Sequence, residues 1–231
     1  MDDLNNWEAE WQGRIENWVV VQMETADSAH GIDHVRRVVK NAKRIGLAEN
    51  ANLHVVLPAA WLHDCVVVAK NSPQRRIASA MAAHGAERFL VEISYPGSWI
   101  GSISHCILAH SFSANVACES IEAKVVQDSD RLEAVGAIGL ARCLMTGGAM
   151  GQRLYHPTEP FPMDRVPADT EQSVDHFFAK LLGIQMTMQT KSGREVAMGR
   201  TDFLIAFLKQ LADEIGTAPD SLESALLRVS G

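Results

Sequence analysis

The segment AHGIDHVRRV, residues 29–38, places His30 and His34 four apart with Asp33 beside the second, in a stretch that otherwise reads as an amphipathic helix. Imidazoles at that spacing share one helix edge, where they could hold a divalent cation. A solvated face, or buried histidines satisfied by hydrogen bonds, would fit the same spacing. A second stretch, AAWLHDCVVVA, interrupts an apolar helix with His63 and Asp64. Burying an imidazole and a carboxylate there costs several kcal/mol unless a divalent cation or a hydrogen-bond network satisfies them. A third, EAKVVQDSDRLEAVGAIGLARCL, carries Asp130 followed by Arg131 and Leu132. Helical spacing sets Gln127, Glu133, Ala134 and Ala137 on the Asp130 side and Lys124, Asp128 and Arg131 on a neighbouring one. The latter three read either as a solvated salt-bridge ladder or as a grip on phosphate.

One His, a His-Asp pair about thirty residues on and an Asp-Arg-Leu some sixty-five residues later, all on helices, form a far more demanding pattern than any piece alone. The chain resembles the HD-domain metal-dependent phosphohydrolases through HGIDHVRRV, AAWLHD and DSDRLEA, and the likeness runs through SHCILAHSF to cover residues 25–180. It is most similar to small stand-alone bacterial HD hydrolases, whose relatives include nucleoside triphosphate pyrophosphohydrolases. The resemblance implies a divalent metal held by His34, His63, Asp64 and Asp130. Two imidazoles and two carboxylates make a mixed N/O set suited to Mn, Co, Ni, Fe or Zn, and six-coordination would leave room for water and a phosphate oxygen. Mn is favoured, with Mg as a further alternative.

His30, one turn before His34, is a candidate orienter or proton carrier, and Asp33 lies off that edge. Several HD phosphohydrolases carry an acidic residue within a turn or two of the His-Asp pair, whereas this chain reads Cys65-Val66-Val67-Val68-Ala69. If the reaction uses a general acid, it must come from elsewhere, with His30, Glu133 or a second metal-bound water as candidates. His84, His105 and His110 could serve a second metal, but His105 and His110, five apart, diverge on a regular helix. His110 is kept as a candidate phosphate contact. Lys70, Arg75 and Arg76, just downstream of the pair, are candidate substrate-binding residues together with Arg131; a solvated loop is the alternative for the first three.

The elements that must position these residues are helices. Apolar residues recur every three or four positions and alternation of period two is hard to find, which predicts an all-α fold. Helices are expected at roughly 4–25, 31–47, 52–66, 73–92, 97–110, 119–147, 169–184, 191–215 and 219–229, with Pro58 marking a late start or a kink in the third. The stretch GGAMGQRLYHPTEPFPMDRVP between two of them is a long Gly/Pro-rich loop, either a cover over a site or a packed excursion. Its glycines make no phosphate loop, because no Gly-Lys-Ser/Thr follows.

At 231 residues and 47% hydrophobic, the chain is expected to be one HD-type helical bundle over 1–231, with its metal-binding core in 25–180 and helices of 190–229 packed on it. A net charge of −7, from 28 acidic and 21 basic residues, argues against general nucleic-acid binding. The four scattered cysteines form no C-x-x-C pair and read as free thiols. No apolar run approaches the ~18 residues of a membrane span, and no export signal opens the chain, so a cytoplasmic location is expected. The expected partner is a small phosphate-bearing molecule, a nucleotide by preference; a homodimer is left open. The expected reaction is metal-dependent cleavage of a nucleoside triphosphate to monophosphate and pyrophosphate. A monophosphatase or phosphodiesterase is the near alternative, and a non-catalytic metal- or nucleotide-binding sensor the alternative of another class.

Overall fold

The computed structural model describes residues 6–23, 31–66, 68, 77–111 and 114–230, and every regular element among them is helical, as the periodicity predicts. A π-helical turn, Glu8–Gln12, leads into α1, Gly13–Gln22. Then follow α2 (Ile32–Ala48), α3 (Leu53–Leu62), α4 (Ala78–Glu92), α5 (Gly97–His110), α6 (Ile121–Arg131), α7 (Gly136–Ala149), α8 (Ser173–Ala179), α9 (Lys191–Glu214) and α10 (Pro219–Ser230). Short 3-10 segments occur at Leu132–Ala134 and Leu181–Thr187. The chain divides into two compact units, Met1–Asp130 with Gln189–Gly193, and Arg131–Met188 with Arg194–Gly231. Among the described residues no helix is long and apolar enough to cross a membrane.

In the first unit α3 is central, because its sequence is apolar on all sides and every residue from Val55 to Leu62 is buried. It packs on α1, α2 and α5, and α5 packs on α4. Helix α2 shows one apolar stripe, burying Val35, Val38, Ala42 and Ile45. At Gly46 a side chain would meet Leu53 Cδ2 at 2.8 Å, so the small residue lets α2 and α3 approach closely. Asn52 caps α3 by accepting the His54 N–H at 3.0 Å. Pro58 sits inside α3 and cannot donate to the His54 carbonyl one turn back. The Tyr95 hydroxyl donates to that carbonyl instead, at 2.6 Å.

The third expected helix stops at Leu62, four residues early, so His63 and Asp64 occupy the turn beyond its C-terminus. The helix expected over 119–147 is broken into α6, a 3-10 turn and α7. Gly136 makes the break with a φ of +73°, a conformation that side chains disfavour. The segment expected to be helical over 169–184 likewise ends as α8 and continues in 3-10 form.

In the second unit the Gly/Pro-rich loop is anchored. The Arg165 guanidinium donates to both oxygens of fully buried Asp175, one of them at 2.7 Å, and to the Glu159 carbonyl at 3.0 Å. The Ala168 N–H donates to the same carboxylate at 2.7 Å. With Phe161 also buried, the loop is a packed excursion with its polar groups satisfied.

Candidate metal centre

Five side chains meet at helix ends in the first unit. His34 lies in the first turn of α2, His63 and Asp64 follow the last residue of α3, His110 is the last residue of α5, and Asp130 is in the final turn of α6. Three of these helices bring C-terminal ends to the site, where the partial negative charge of unpaired carbonyls favours a cation. The Nε2 atoms of His34 and His63 are 3.3 Å apart. Asp130 Oδ1 stands 3.5 Å from His34 Nε2 and 3.9 Å from His63 Nε2. Asp64 Oδ2 is 3.6 Å from His63 Nε2, and its other oxygen is 3.5 Å from His110 Nε2. His34, His63 and Asp130 form a group whose donor atoms could hold a metal ion.

The tautomer of His63 suits that role. Its Nδ1 donates to the Ala60 carbonyl at 2.8 Å, which leaves the Nε2 lone pair facing the cluster. His110 repeats the device, with Nδ1 donating to the Ile107 carbonyl at 2.6 Å. Burial lowers the pKa of His63 and keeps the ring neutral against the opposing pull of Asp64. Burial works to raise the pKa of Asp64, yet at the low pH where it would titrate the positive charge of a protonated His63, with the hydrogen bond and charge of His110, outweighs it and holds the carboxyl far below the usual range. His110 moves the other way: burial works to lower its pKa, and the hydrogen bond and charge of Asp64 raise it past its ordinary value. A neutral ring beside an ionised carboxylate is the donor state a divalent metal requires.

Other candidates lie elsewhere. Lys124, Asp128 and Arg131 do not form a solvated ladder. Asp128 is fully buried, and its carboxylate accepts the backbone N–H of Gln189 at 2.9 Å and of Thr190 at 2.8 Å, with the Thr190 hydroxyl at 2.7 Å. Its partners are some sixty residues away in sequence, beyond the reach of any helical-spacing rule. Arg131, in the second unit, donates to the Thr187 carbonyl. Glu133, also in that unit, is buried in the 3-10 turn Leu132–Ala134, and Arg142 donates to its carbonyl at 3.2 Å. His105 Nε2 accepts the Glu119 N–H at 3.3 Å, and His84 is exposed. Asp33 is exposed and faces Arg36 at 3.5 Å. His30, Lys70, Arg75 and Arg76 lie outside the described residues. The carbonyls of Ala60 and Ile107, which orient the two rings, are invisible in sequence because any residue could supply them.

The family model for the HD domain matches residues 31–135, which contain all of these donors. The uncharacterized protein YpgQ of Bacillus subtilis is 34% identical over 206 residues, covering 87% of this chain and 92% of that one. The chain belongs to the HD-domain family. A crystal structure of Bacillus subtilis YpgQ in complex with ADP superposes with a TM-score of 0.67 at 32% identity, covering 87% of this chain and 93% of the other. An HD-superfamily hydrolase from Bacillus thuringiensis gives a TM-score of 0.68 at 32% identity, covering 90% of this chain and 99% of that structure. The fold is thus that of the HD-superfamily hydrolases, and the cluster lies within the HD-matched segment.

Proposed function

We propose that this HD-domain protein is a divalent-metal-dependent phosphohydrolase of nucleotides, with cleavage of a nucleoside triphosphate to monophosphate and pyrophosphate as its favoured reaction. The observation that carries this reading is the meeting of His34 Nε2, His63 Nε2 and Asp130 Oδ1 at separations of 3.3–3.9 Å, with Asp64 Oδ2 3.6 Å from His63 Nε2. With metal–ligand bonds of ~2.1 Å, neighbouring ligand atoms stand ~3 Å apart and opposed ones ~4 Å, so these donors fit a cation. His34, His63, Asp64 and Asp130 would hold it, with Mn favoured. When bound, such an ion polarises a phosphoryl oxygen and makes water a stronger nucleophile.

The chain's own residues supply the rest. The Ala60 carbonyl holds the His63 ring in register, and Asp64, kept ionised, offers one oxygen to the cluster and the other to His110. His110, fixed at Nδ1, points Nε2 at that carboxylate, where it can hold a phosphoryl oxygen or carry a proton. Lys70, Arg75 and Arg76 are assigned to the phosphate tail. The ADP complex of YpgQ supports a nucleotide as the ligand.

The test is hydrolysis by metal-stripped protein resupplied with Mn, Co, Mg or Zn, with products separated by chromatography. Pyrophosphate and a nucleoside monophosphate are expected. Orthophosphate as the first product points to a phosphatase, and no metal-dependent turnover of any nucleotide overturns the proposal.

A further inference from the structure

A cavity of about 730 Å³ in the first unit has Cys65 and Val66, the residues directly after Asp64, among its walls. The other described lining residues come from α1 and α4. On one side Trp18 stacks on Phe89, with ring centroids 4.2 Å apart and planes 16° from parallel. Phe89 is buried and Trp18 half-buried, so the indole is a rigid shelf backed on one face. Among the described residues the side chains of Trp18, Gln22 and Arg88 have no hydrogen-bond or ion-pair partner, although all three line the cavity.

The charge of the lining selects what can enter. Among the described lining residues Glu87 and Glu92 stand against Arg88, a formal balance of −1 (two acidic, one basic), which disfavours a phosphate tail. An uncharged planar group meets no such penalty. It can stack on the indole and take hydrogen bonds at its edge from the Gln22 amide and the Arg88 guanidinium. The volume is within the range of ligand pockets and exceeds that of one purine.

Resting on the nucleotide reading above, we infer that this cavity receives the nucleobase, with Trp18 as the stacking surface and Gln22 as an edge contact. The phosphates would then extend past the turn at Cys65 toward Asp64. Trp18 thereby becomes a residue that sets substrate preference and takes no part in bond cleavage.

The experiment separates base binding from chemistry. Hydrolysis of a nucleoside triphosphate is compared with that of inorganic tripolyphosphate, which has no base, and adenosine binding to metal-free protein is followed by saturation-transfer NMR. Trp18→Ala should raise KM for the nucleotide at least ten-fold, leave tripolyphosphate hydrolysis within two-fold and abolish the adenosine signal. Trp18→Phe should restore both readouts to within about three-fold. If Trp18→Ala unfolds through loss of its stack on Phe89, Gln22→Ala at the exposed end of α1 decides, with a KM rise of about three-fold or more expected on the nucleotide alone. Unchanged nucleotide KM and adenosine binding in the folded variants overturn the assignment, as does an equal loss on both substrates. Absence of all hydrolysis would count against the phosphohydrolase reading, and adenosine binding would still report on the cavity.

Discussion

Two neutral imidazoles do not bring Nε2 atoms to 3.3 Å without a proton or a cation between them, and His63 has already committed its other nitrogen to Ala60. The meeting of His34, His63 and Asp130 was legible in the residues themselves, because imidazole and carboxylate are the types a borderline metal prefers. Asp128 was not legible. Two positions from Asp130 and with the same side chain, it closes on Gln189 and Thr190. Asp64→Asn isolates the charge from the shape: metal affinity should fall at least ten-fold and hydrolysis with it, while circular dichroism stays helical. In the metal-free variant the pKa of His110 should drop, since the carboxylate that raises it is gone and burial, which favours the neutral ring, remains. NMR titration of the His110 ring checks this, and an unmoved value would disconnect the two side chains.

Elements were legible where the apolar period is uninterrupted and illegible where a single residue ends them. Helix α2 begins within a residue of its expected start, and α5 matches its expected bounds. The expected helix over 119–147 fails at Gly136, which has a φ of +73°; a Cβ there would also lie 3.1 Å from Arg200 Cγ, a contact that no local pattern reveals. Pro58 in α3 shows the opposite case, a residue that should break a helix and does not. The Tyr95 hydroxyl donates to the carbonyl left open by the proline and accepts the Trp7 indole N–H at 2.8 Å. Tyr95→Phe strands both groups, and a cost of about 1–3 kcal/mol is expected in denaturant unfolding, against well under 1 kcal/mol if neither bond matters. Helix α9 offers a pH-dependent counterpart at its N-terminus. Glu49 accepts the Ser192 N–H at 2.6 Å, and this bond lowers the Glu49 pKa. A carboxyl more acidic in the folded than in the unfolded chain stabilises above its unfolded value near 4.5 and loses that contribution as pH falls through the lower folded one. Hydrogen exchange at the start of α9 should therefore speed up below pH 4.5 relative to a Glu49→Gln variant, once the intrinsic pH dependence is removed.

At the scale of the whole molecule, sequence chemistry excluded as much as it assigned. A net charge of −7 leaves basic residues to act locally, and all four cysteines are free thiols. Burial, aided by the charge of Asp64 at the first, pushes Cys65 and Cys106 up to about 12, and burial pushes Cys143 to about 11, so none of these three is a thiolate nucleophile near neutral pH. Division of the chain into two units could not be read from composition, because no linker-like segment marks it. The unit that holds the cluster should feel its metal as stability. An ion bound to the native donors and not to the unfolded chain adds RT ln(1 + [L]/Kd), ~2.7 kcal/mol at a hundred-fold excess over Kd. For a chain of this size that is a rise of roughly 5–10 °C in the midpoint of thermal unfolding. Mn added to metal-stripped protein should produce that rise, and chelator should reverse it. Asp130→Ala should lose it, whereas Asp33→Ala should keep it, since Asp33 is exposed beside Arg36 and outside the donor group. Equal shifts in the two variants would mean that the ion binds away from Asp130, and the assigned ligand set would fall.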